Sequence, residues 1–439
     1  MPKQDGQRCI TASSRQYRLA LAVSMGGMLE LYDFLIYALM ASYIAENFFP
    51  AGDAMTSLLG TFAAFAVGYL SRPLGGLVFG HLGDRYGRKR TFTLTIFLMA
   101  LTTALMGCLP TYSSIGISAP VMLVLLRLCQ GFSLGGELPG AITYLSESVP
   151  RNEGVVVGIL FMALMVGISL GTFVHGAMTL VLDQQTMTEW GWRVPFWLGG
   201  LLGMVSYQIR RRFDESGLFL ALNQVRQRSR IPLLVLFRDY RRGLLCGFLM
   251  MALCGATVTV YGVYMPSYLS TLLGFSRSDV AWHTALAFLM LSPLCLLAGV
   301  LCDQVNRKLL LGFMVLMVFC LSIPAFRYFV SEAAEIHLIL LICSLFAALA
   351  SGLLPPMLIN CFPTEIRYTG IATAYNFGFA LFGGLAPFIS TLLVKLTGTV
   401  SGPAIYLMLV AVISVPALLL RWPEHHLVEN SKESNASSS

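Results

Sequence analysis

The sequence predicts an all-α integral membrane protein of twelve transmembrane helices in two halves, with both termini cytoplasmic. Three observations carry that expectation. The 439 residues are 56% hydrophobic and only 12% charged, whereas charged residues make up about a quarter of soluble domains. Apolar runs long enough to cross a bilayer, which takes about 20 residues each, recur twelve times between short polar turns. A cationic turn, GHLGDRYGRKR at residues 80–90, returns as GVLCDQVNRK at residues 299–308, with Gly, Asp, Arg and Lys at the same offsets and Asn306 in place of Gly87. Asn is the next residue after Gly to tolerate a left-handed turn, and matching turns in two halves indicate an internal repeat.

Basic residues occupy alternate connections. Lys3, Arg8, Arg15 and Arg18 precede the first run. Arg85, Arg88, Lys89, Arg90, Arg151, a cluster over 210–242, Arg307, Lys308, Arg367, Arg421 and Lys432 fill every second loop, while Arg277, Arg327 and Lys395 lie opposite. The Lys and Arg excess of membrane proteins faces the cytoplasm, which places both termini inside. The net charge of +7 thus needs no acidic partner, and no nucleic acid is expected. Ten cysteines form no CxxC pair and no His/Cys cluster at metal spacing; they read as small buried hydrophobes, with no metal or cofactor. The first run holds Glu30 and Asp33 and no small-residue cleavage pattern, so it reads as an uncleaved span.

Spans one to six are expected at residues 17–41, 55–79, 91–109, from 121, 154–181 and 193–209. Span two ends in Arg72-Pro73-Leu74-Gly75-Gly76, and span four carries Arg127, Gln130, Gly131, Gly135, Gly136 and Glu137. Trp190 and Trp192 read as interfacial anchors before span six. In 213–242, arginines interleave with Leu218, Leu222 and Val225 at helical spacing, the pattern of an amphipathic segment along the inner leaflet. Spans seven to twelve follow at 243–267, 280–301, 309–326, 337–360, 369–393 and 403–421. The chain therefore divides into a first helical unit at 1–209, a cytoplasmic linker at 210–242, a second unit at 243–421 and a tail at 422–439, whose Ser-rich end is expected to be disordered.

Glu30 and Asp33 lie three apart, on one helical face about 5–6 Å apart, where ionised carboxylates are expensive. They cannot both ionise cheaply and should titrate as a unit, as a group that loads and unloads protons must; Asp33 is the favoured carrier. The plainer alternative is that one carboxylate neutralises an arginine and locks two helices. Arg127 is the natural countercharge, with Gln130 one turn away, since a buried arginine must be paired or face a cavity. Protonation of Asp33 would release its guanidinium for a substrate carboxylate. Glu137 is either a second proton stop or a partner of backbone or Arg72. Asp84, Arg88 and Glu147, with Asp303, Arg307 and Glu365 in the second half, sit at cytoplasmic helix ends and could form two gating networks. Tyr261, Tyr264, His283, Tyr375 and Asn376 are the polar candidates for a cavity in the second half, each equally readable as interhelical glue.

These residues resemble the major facilitator superfamily: the 80–90 turn is similar to its signature between spans two and three, and Arg127-x-x-Gln130-Gly131 to its span-four motif. Leu29-Glu30-Leu31-Tyr32-Asp33-Phe34, Arg72-Pro73-Leu74-Gly75-Gly76, Gln130-Gly131-Phe132-Ser133-Leu134-Gly135-Gly136-Glu137 and Glu189-Trp190-Gly191-Trp192-Arg193-Val194-Pro195-Phe196 narrow the resemblance to its metabolite:proton symporter branch. It implies the major facilitator fold, two six-helix bundles rocking about a central site, and proton-driven import of citrate, 2-oxoglutarate, shikimate, proline, betaine or a related metabolite. Gln304 and Asn306 depart from the pattern in the second turn, and the coiled-coil tail of some betaine carriers is not evident.

The leading expectation is a proton-coupled importer of a small organic acid, a monomer in the bacterial inner membrane, because Arg72, Arg127 and Arg193 give the first half cationic handles. A zwitterionic osmolyte would use aromatic faces such as Tyr32, Tyr37 and Tyr261 instead. Proton-driven efflux is disfavoured, as span five lacks a Gly-Pro kink. A receptor or scaffold would gain nothing from costly buried charge, and no arrangement of nucleophile, base and oxyanion donors suggests an enzyme.

Overall fold

The computed structural model describes residues 20–21, 23–29, 31–33, 35–50, 54–86, 88–149, 152–211, 232–363 and 366–420, and these residues are helical throughout apart from turns and connections. The main helices of the first half are α1 (Val23–Leu39) and α2 (Ala41–Phe48), α3 (Ala54–Tyr86) and α4 (Arg88–Cys108), α5 (Ser118–Leu134) and α6 (Glu137–Ser148), α7 (Glu153–Val181) and α8 (Val194–Arg211). Those of the second half are α9 (Arg241–Val258) and α10 (Met265–Thr271), α11 (Arg277–Leu291) and α12 (Pro293–Gln304), α13 (Arg307–Phe329) and α14 (Ile336–Leu358), α15 (Arg367–Gly378) and α16 (Ala386–Thr397), and α17 (Gly402–Ser414). Among the described residues, nine helical stretches are long and apolar enough to cross a membrane, or ten if the bent α1–α2 pair counts as one; Leu94–Cys108 is a shorter apolar helix.

Helices dominate because a chain in hydrocarbon must satisfy every backbone N–H and C=O within its own segment. The apolar surface that remains outward, such as Leu74, Leu201, Leu309 and Leu316, is compatible with lipid rather than water. Inside the first half, small residues let α3 and α5 approach to backbone contact. A Cβ on Gly131 would run into the Gly68 carbonyl, and one on Gly75 into the Phe132 carbonyl, while the Ser71 hydroxyl donates to the Leu128 carbonyl at 2.9 Å. Close approach replaces the hydrophobic drive that lipid does not supply.

The second half contains two π-helical turns, Thr259–Tyr264 after α9 and Phe379–Gly384 after α15. Such turns re-aim side chains and recur at functional sites. The two meet each other: a Cβ on Gly383 would lie 3.1 Å from Thr259 Oγ1.

Several expectations need correction here. Trp192 is not an interfacial anchor but a fully buried residue, packed edge-on against Phe48 and Phe196; only Trp190 is exposed. Cys108, Cys129 and Cys320 are exposed, so not every cysteine is core. The amphipathic segment lies mostly outside the described residues, though Pro232–Asp239 is a helix.

A central cavity beside a buried polar network

Between the two halves lies a cavity. Leu31 and Leu35 of α1, Phe65, Tyr69 and Arg72 of α3, Leu134, Leu138 and residues of α7 line it from the first half. Val258, Thr259, Val263, Ser351, Tyr375 and Phe379 line it from the second. Arg72 is the charged residue of this wall, 4% exposed. Its guanidinium carbon lies 5.2 Å from the ring centre of Tyr69 in its own half, and 5.7 and 5.9 Å from those of Tyr375 and Phe379 in the other. Delocalised, weakly hydrated charge suits guanidinium to aromatic faces.

Contacts between the halves flank the cavity at both ends. Toward the α3–α4 turn, the Asn376 amide donates to the Gly135 carbonyl at 2.6 Å and the Tyr368 hydroxyl to that of Gly136 at 3.1 Å. Further out, Asp303 accepts the backbone N–H groups of Gly154 and Val155 at 2.9 and 3.1 Å. At the opposite end Phe62 packs against Tyr264 with ring centres 5.7 Å apart, the Ser267 hydroxyl reaches the Ala38 carbonyl at 3.5 Å, and Arg277 faces Glu46 at 3.9 Å.

The predicted charge pair sits behind the cavity wall rather than in it. Arg127 is wholly buried, with its guanidinium 4.2 Å from the Tyr37 ring centre and 5.2 Å from that of Phe65. It donates through Nη1 to the Gln130 side-chain oxygen. The Gln130 amide in turn donates to Thr103 Oγ1 at 2.8 Å and to the main-chain carbonyl of Asp33 at 3.4 Å. Gln130 therefore ties α1, α4 and α5 together, and connects Arg127 to Asp33 without a direct ion pair. The Asp33 carboxylate, 2% exposed, points to α8 instead. A Cβ on Gly199 would lie 2.5 Å from Oδ1 and one on Gly203 3.0 Å from Oδ2, and Oδ1 has no hydrogen-bond partner among the described residues.

The remaining sequence candidates scatter. Glu137 is buried in the first turn of α6, between the cavity-lining Leu134 and Leu138 but outside the wall itself. Tyr37 donates to the Thr61 carbonyl at 3.1 Å. Tyr261, expected at a cavity, stacks on Phe346 at 4.6 Å inside the second half and bonds Ser322. Tyr264 accepts from Thr391 at 3.1 Å at the closed outer end. His283 bonds the Asp279 carbonyl at 2.8 Å in a partly exposed helix turn and is not among the described residues that line the cavity. Asn376 serves as the clasp described above. Arg193, read as a cationic handle, instead donates to the Gly107 and Leu109 carbonyls at 2.9 and 2.5 Å. Of the gating candidates, Arg307 opens α13 beside the Asn306 cap, whose side chain accepts from Lys308 at 2.9 Å. Glu30 and Glu365 lie outside the described residues, as do the side chains of Asp84, Arg88 and Glu147.

The wall residues Tyr69, Thr259, Ser351 and Phe379 were not singled out from sequence. A signal existed for part of the set: Tyr69 stands three before Arg72, and Tyr375 four before Phe379, each pair one helical turn apart. Thr259 and Ser351 had none, being hydroxyl residues in apolar runs.

Comparison with known proteins agrees with this architecture. The sequence profile of the Major Facilitator Superfamily matches residues 23–261 and 247–438. A citrate-proton symporter of Salmonella typhi is 32% identical over 410 residues, 93% of this chain and 94% of its own. A proline/betaine transporter of Salmonella typhimurium is 33% identical over 415 residues, 90% of this chain and 81% of its own. The solved structure of the E. coli xylose transporter in a partially occluded, inward-open conformation superposes with a TM-score of 0.70 at 17% identity, over 94% of this chain and 98% of that one, which shows a shared fold. With the profile spanning both halves and the relatives covering nearly the whole length, the chain is a multi-pass membrane transporter, not an enzyme, and belongs to the Major Facilitator Superfamily.

Proposed function

We propose that the chain is a proton-coupled symporter that imports a small organic acid or related metabolite across the bacterial inner membrane by alternating access, as a monomer with twelve spans and cytoplasmic termini. The observation that carries this reading is the cavity between the halves, with a guanidinium in its wall and separate contacts between the halves at its two ends. A site that can be sealed on either side, by contacts between bodies that can rock, is what alternating access requires. The names of the relatives, a citrate-proton symporter and a proline/betaine transporter, support proton-driven uptake of a carboxylate-bearing solute.

In this reading Asp33 carries the coupled proton, with Glu30 and Glu137 as further carboxylates near the path. The path from Asp33 to the cavity runs through Gln130 and Arg127: α1 bears Asp33 and two wall residues, Leu31 and Leu35, and Gln130 holds that helix to Arg127. A change at the Asp33 carboxyl that shifts α1 would alter the wall. Asp303 with Arg307, and Asp84, Arg88, Glu147 and Glu365 at equivalent ends, act as gates. A zwitterionic osmolyte is the second reading, favoured by Phe65, Tyr69, Tyr375 and Phe379 around the cavity, since aromatic faces bind quaternary ammonium.

The test is uptake of labelled citrate, 2-oxoglutarate, shikimate, proline and betaine into proteoliposomes with an imposed inward proton gradient, with and without protonophore. Gradient-dependent accumulation of one compound is expected; accumulation indifferent to protonophore, or export driven by the same gradient, would sink the symport reading.

A further inference from the structure

We propose that Arg72 sets the substrate class: the cavity takes a compact molecule with a single carboxylate and rejects dicarboxylates and tricarboxylates. This rests on the transport reading above and narrows it. Among the described residues the wall holds one charged side chain, and the rest is aliphatic or aromatic apart from the hydroxyls of Tyr69, Tyr375, Thr259 and Ser351. One planar guanidinium can grip one carboxylate through two parallel N–H bonds. A second carboxylate would be left in a mainly apolar space without a countercharge among the described residues, and an unpaired buried charge is strongly disfavoured.

Two further observations point to a ligand at this place. Arg72 Nε has no hydrogen-bond partner among the described residues, although the residue is almost wholly buried. Ser351 Oγ, 1% exposed on α14 and part of the same wall, also has none. These two unpartnered donors line one cavity, Arg72 from α3 of the first half and Ser351 from α14 of the second. Charge excludes citrate, whose second and third carboxylates would find no countercharge among the described wall residues. The body beyond the carboxylate meets rings and aliphatic groups, which accept either a neutral ring or a quaternary ammonium without N–H donors to satisfy.

The test uses full-length protein and four probes: cyclohexanecarboxylate, glycine betaine, succinate and citrate. Each is measured for thermal protection of the protein in detergent and for uptake into proteoliposomes under an inward proton gradient, in wild type, Arg72→Lys and Arg72→Gln. At least one monocarboxylate is expected to protect and to accumulate, while succinate and citrate do neither. Arg72→Gln should weaken its apparent affinity about 100-fold, and Arg72→Lys, which keeps the charge but not the fork, about 10-fold. The lysine variant keeps the prediction testable if the glutamine variant folds poorly. Preference for cyclohexanecarboxylate marks a neutral organic acid, and preference for betaine an osmolyte. Accumulation or protection by succinate or citrate, protection by none of the four, or wild-type affinity in Arg72→Gln would each overturn the proposal. Protection by a monocarboxylate that is lost in Arg72→Gln, without gradient-driven uptake, would uphold the class assignment and overturn the import reading instead.

Discussion

The carboxylate of Asp303 accepts the backbone N–H of Gly154 at 2.9 Å, joining the end of α12 in the second half to the start of α7 in the first. Val155 donates to the other oxygen at 3.1 Å. Both donors belong to a first helical turn, which has no intrahelical partners and favours negative charge. The contact needs Gly154 and Gly299, since a Cβ on either would strike the backbone of the other helix. The repeated turn thus places its aspartate where it bolts one half to the other.

Asp303→Asn should loosen that bolt. It removes the charge and turns an N–H donor toward a backbone donor, and hydrogen bonds to charged groups contribute about 1.5–3 kcal/mol. The ratio of inward-open to occluded molecules is expected to rise about ten-fold or more, one decade for each 1.4 kcal/mol. Electron paramagnetic resonance distances between labels at Asn152 and Val305 would report it as a longer component; an unchanged distribution would show that the contact bears no load.

At the other end the Arg277–Glu46 pair is long, at 3.9 Å, and its side chains are 28% and 48% exposed. Exposed pairs of this kind contribute about 0–1 kcal/mol. Arg277→Gln is therefore expected to change uptake rates less than about three-fold, with the outer seal kept by Phe62 and Tyr264. A larger loss would mean that Arg277, which also lies 4.9 Å from the Tyr43 ring centre, has a further role.

Asp33→Asn should separate coupling from movement. The amide fits the same space between Gly199 and Gly203 but cannot exchange a proton. Gradient-driven accumulation is expected to vanish while exchange of substrate across the membrane at equal concentration persists. Full accumulation in this variant would exclude Asp33 as the proton carrier.

Gly131→Ala should destabilise the first half, because its new methyl group would meet the Gly68 carbonyl and come within 2.5 Å of Ser71 Oγ. Overpacking of this kind costs about 1–3 kcal/mol, read as a lower melting temperature in detergent. Gly312→Ala is the control: its nearest neighbour is Leu418 Cδ2 at 3.8 Å, and in an open helix interior alanine is favoured by about 0.5–1 kcal/mol.

Much of the site was legible as composition and only part of it as place. Arg72, Arg127, Gln130 and Asp33 stand out in sequence because charge and amide groups are rare within apolar runs. Their relation did not follow from spacing. A direct Arg127–Asp33 pair was the simplest reading, yet Gln130 stands between them, and Asp33 turns toward two glycines of α8. His283 and Tyr261 looked equivalent to Tyr375, but Tyr375 faces the cavity and the other two do not.

The sequence by itself determined that the chain is a set of long apolar helices in two halves, because that depends on local hydrophobicity and on charge near each turn. It also determined the two-fold repeat and the aspartate at each turn. Which face of each helix meets the cavity was decided only by the tertiary structure. In water a helix shows its inner face by amphipathic periodicity. In a bilayer lipid is as apolar as a helix partner, so the pattern loses its contrast and the azimuth is set by which small residues let neighbours close in. Gly68, Gly75 and Gly131 pull α3 onto α5, and that packing leaves Arg127 sealed behind Phe65 and Tyr37 while Arg72 reaches the space between the halves.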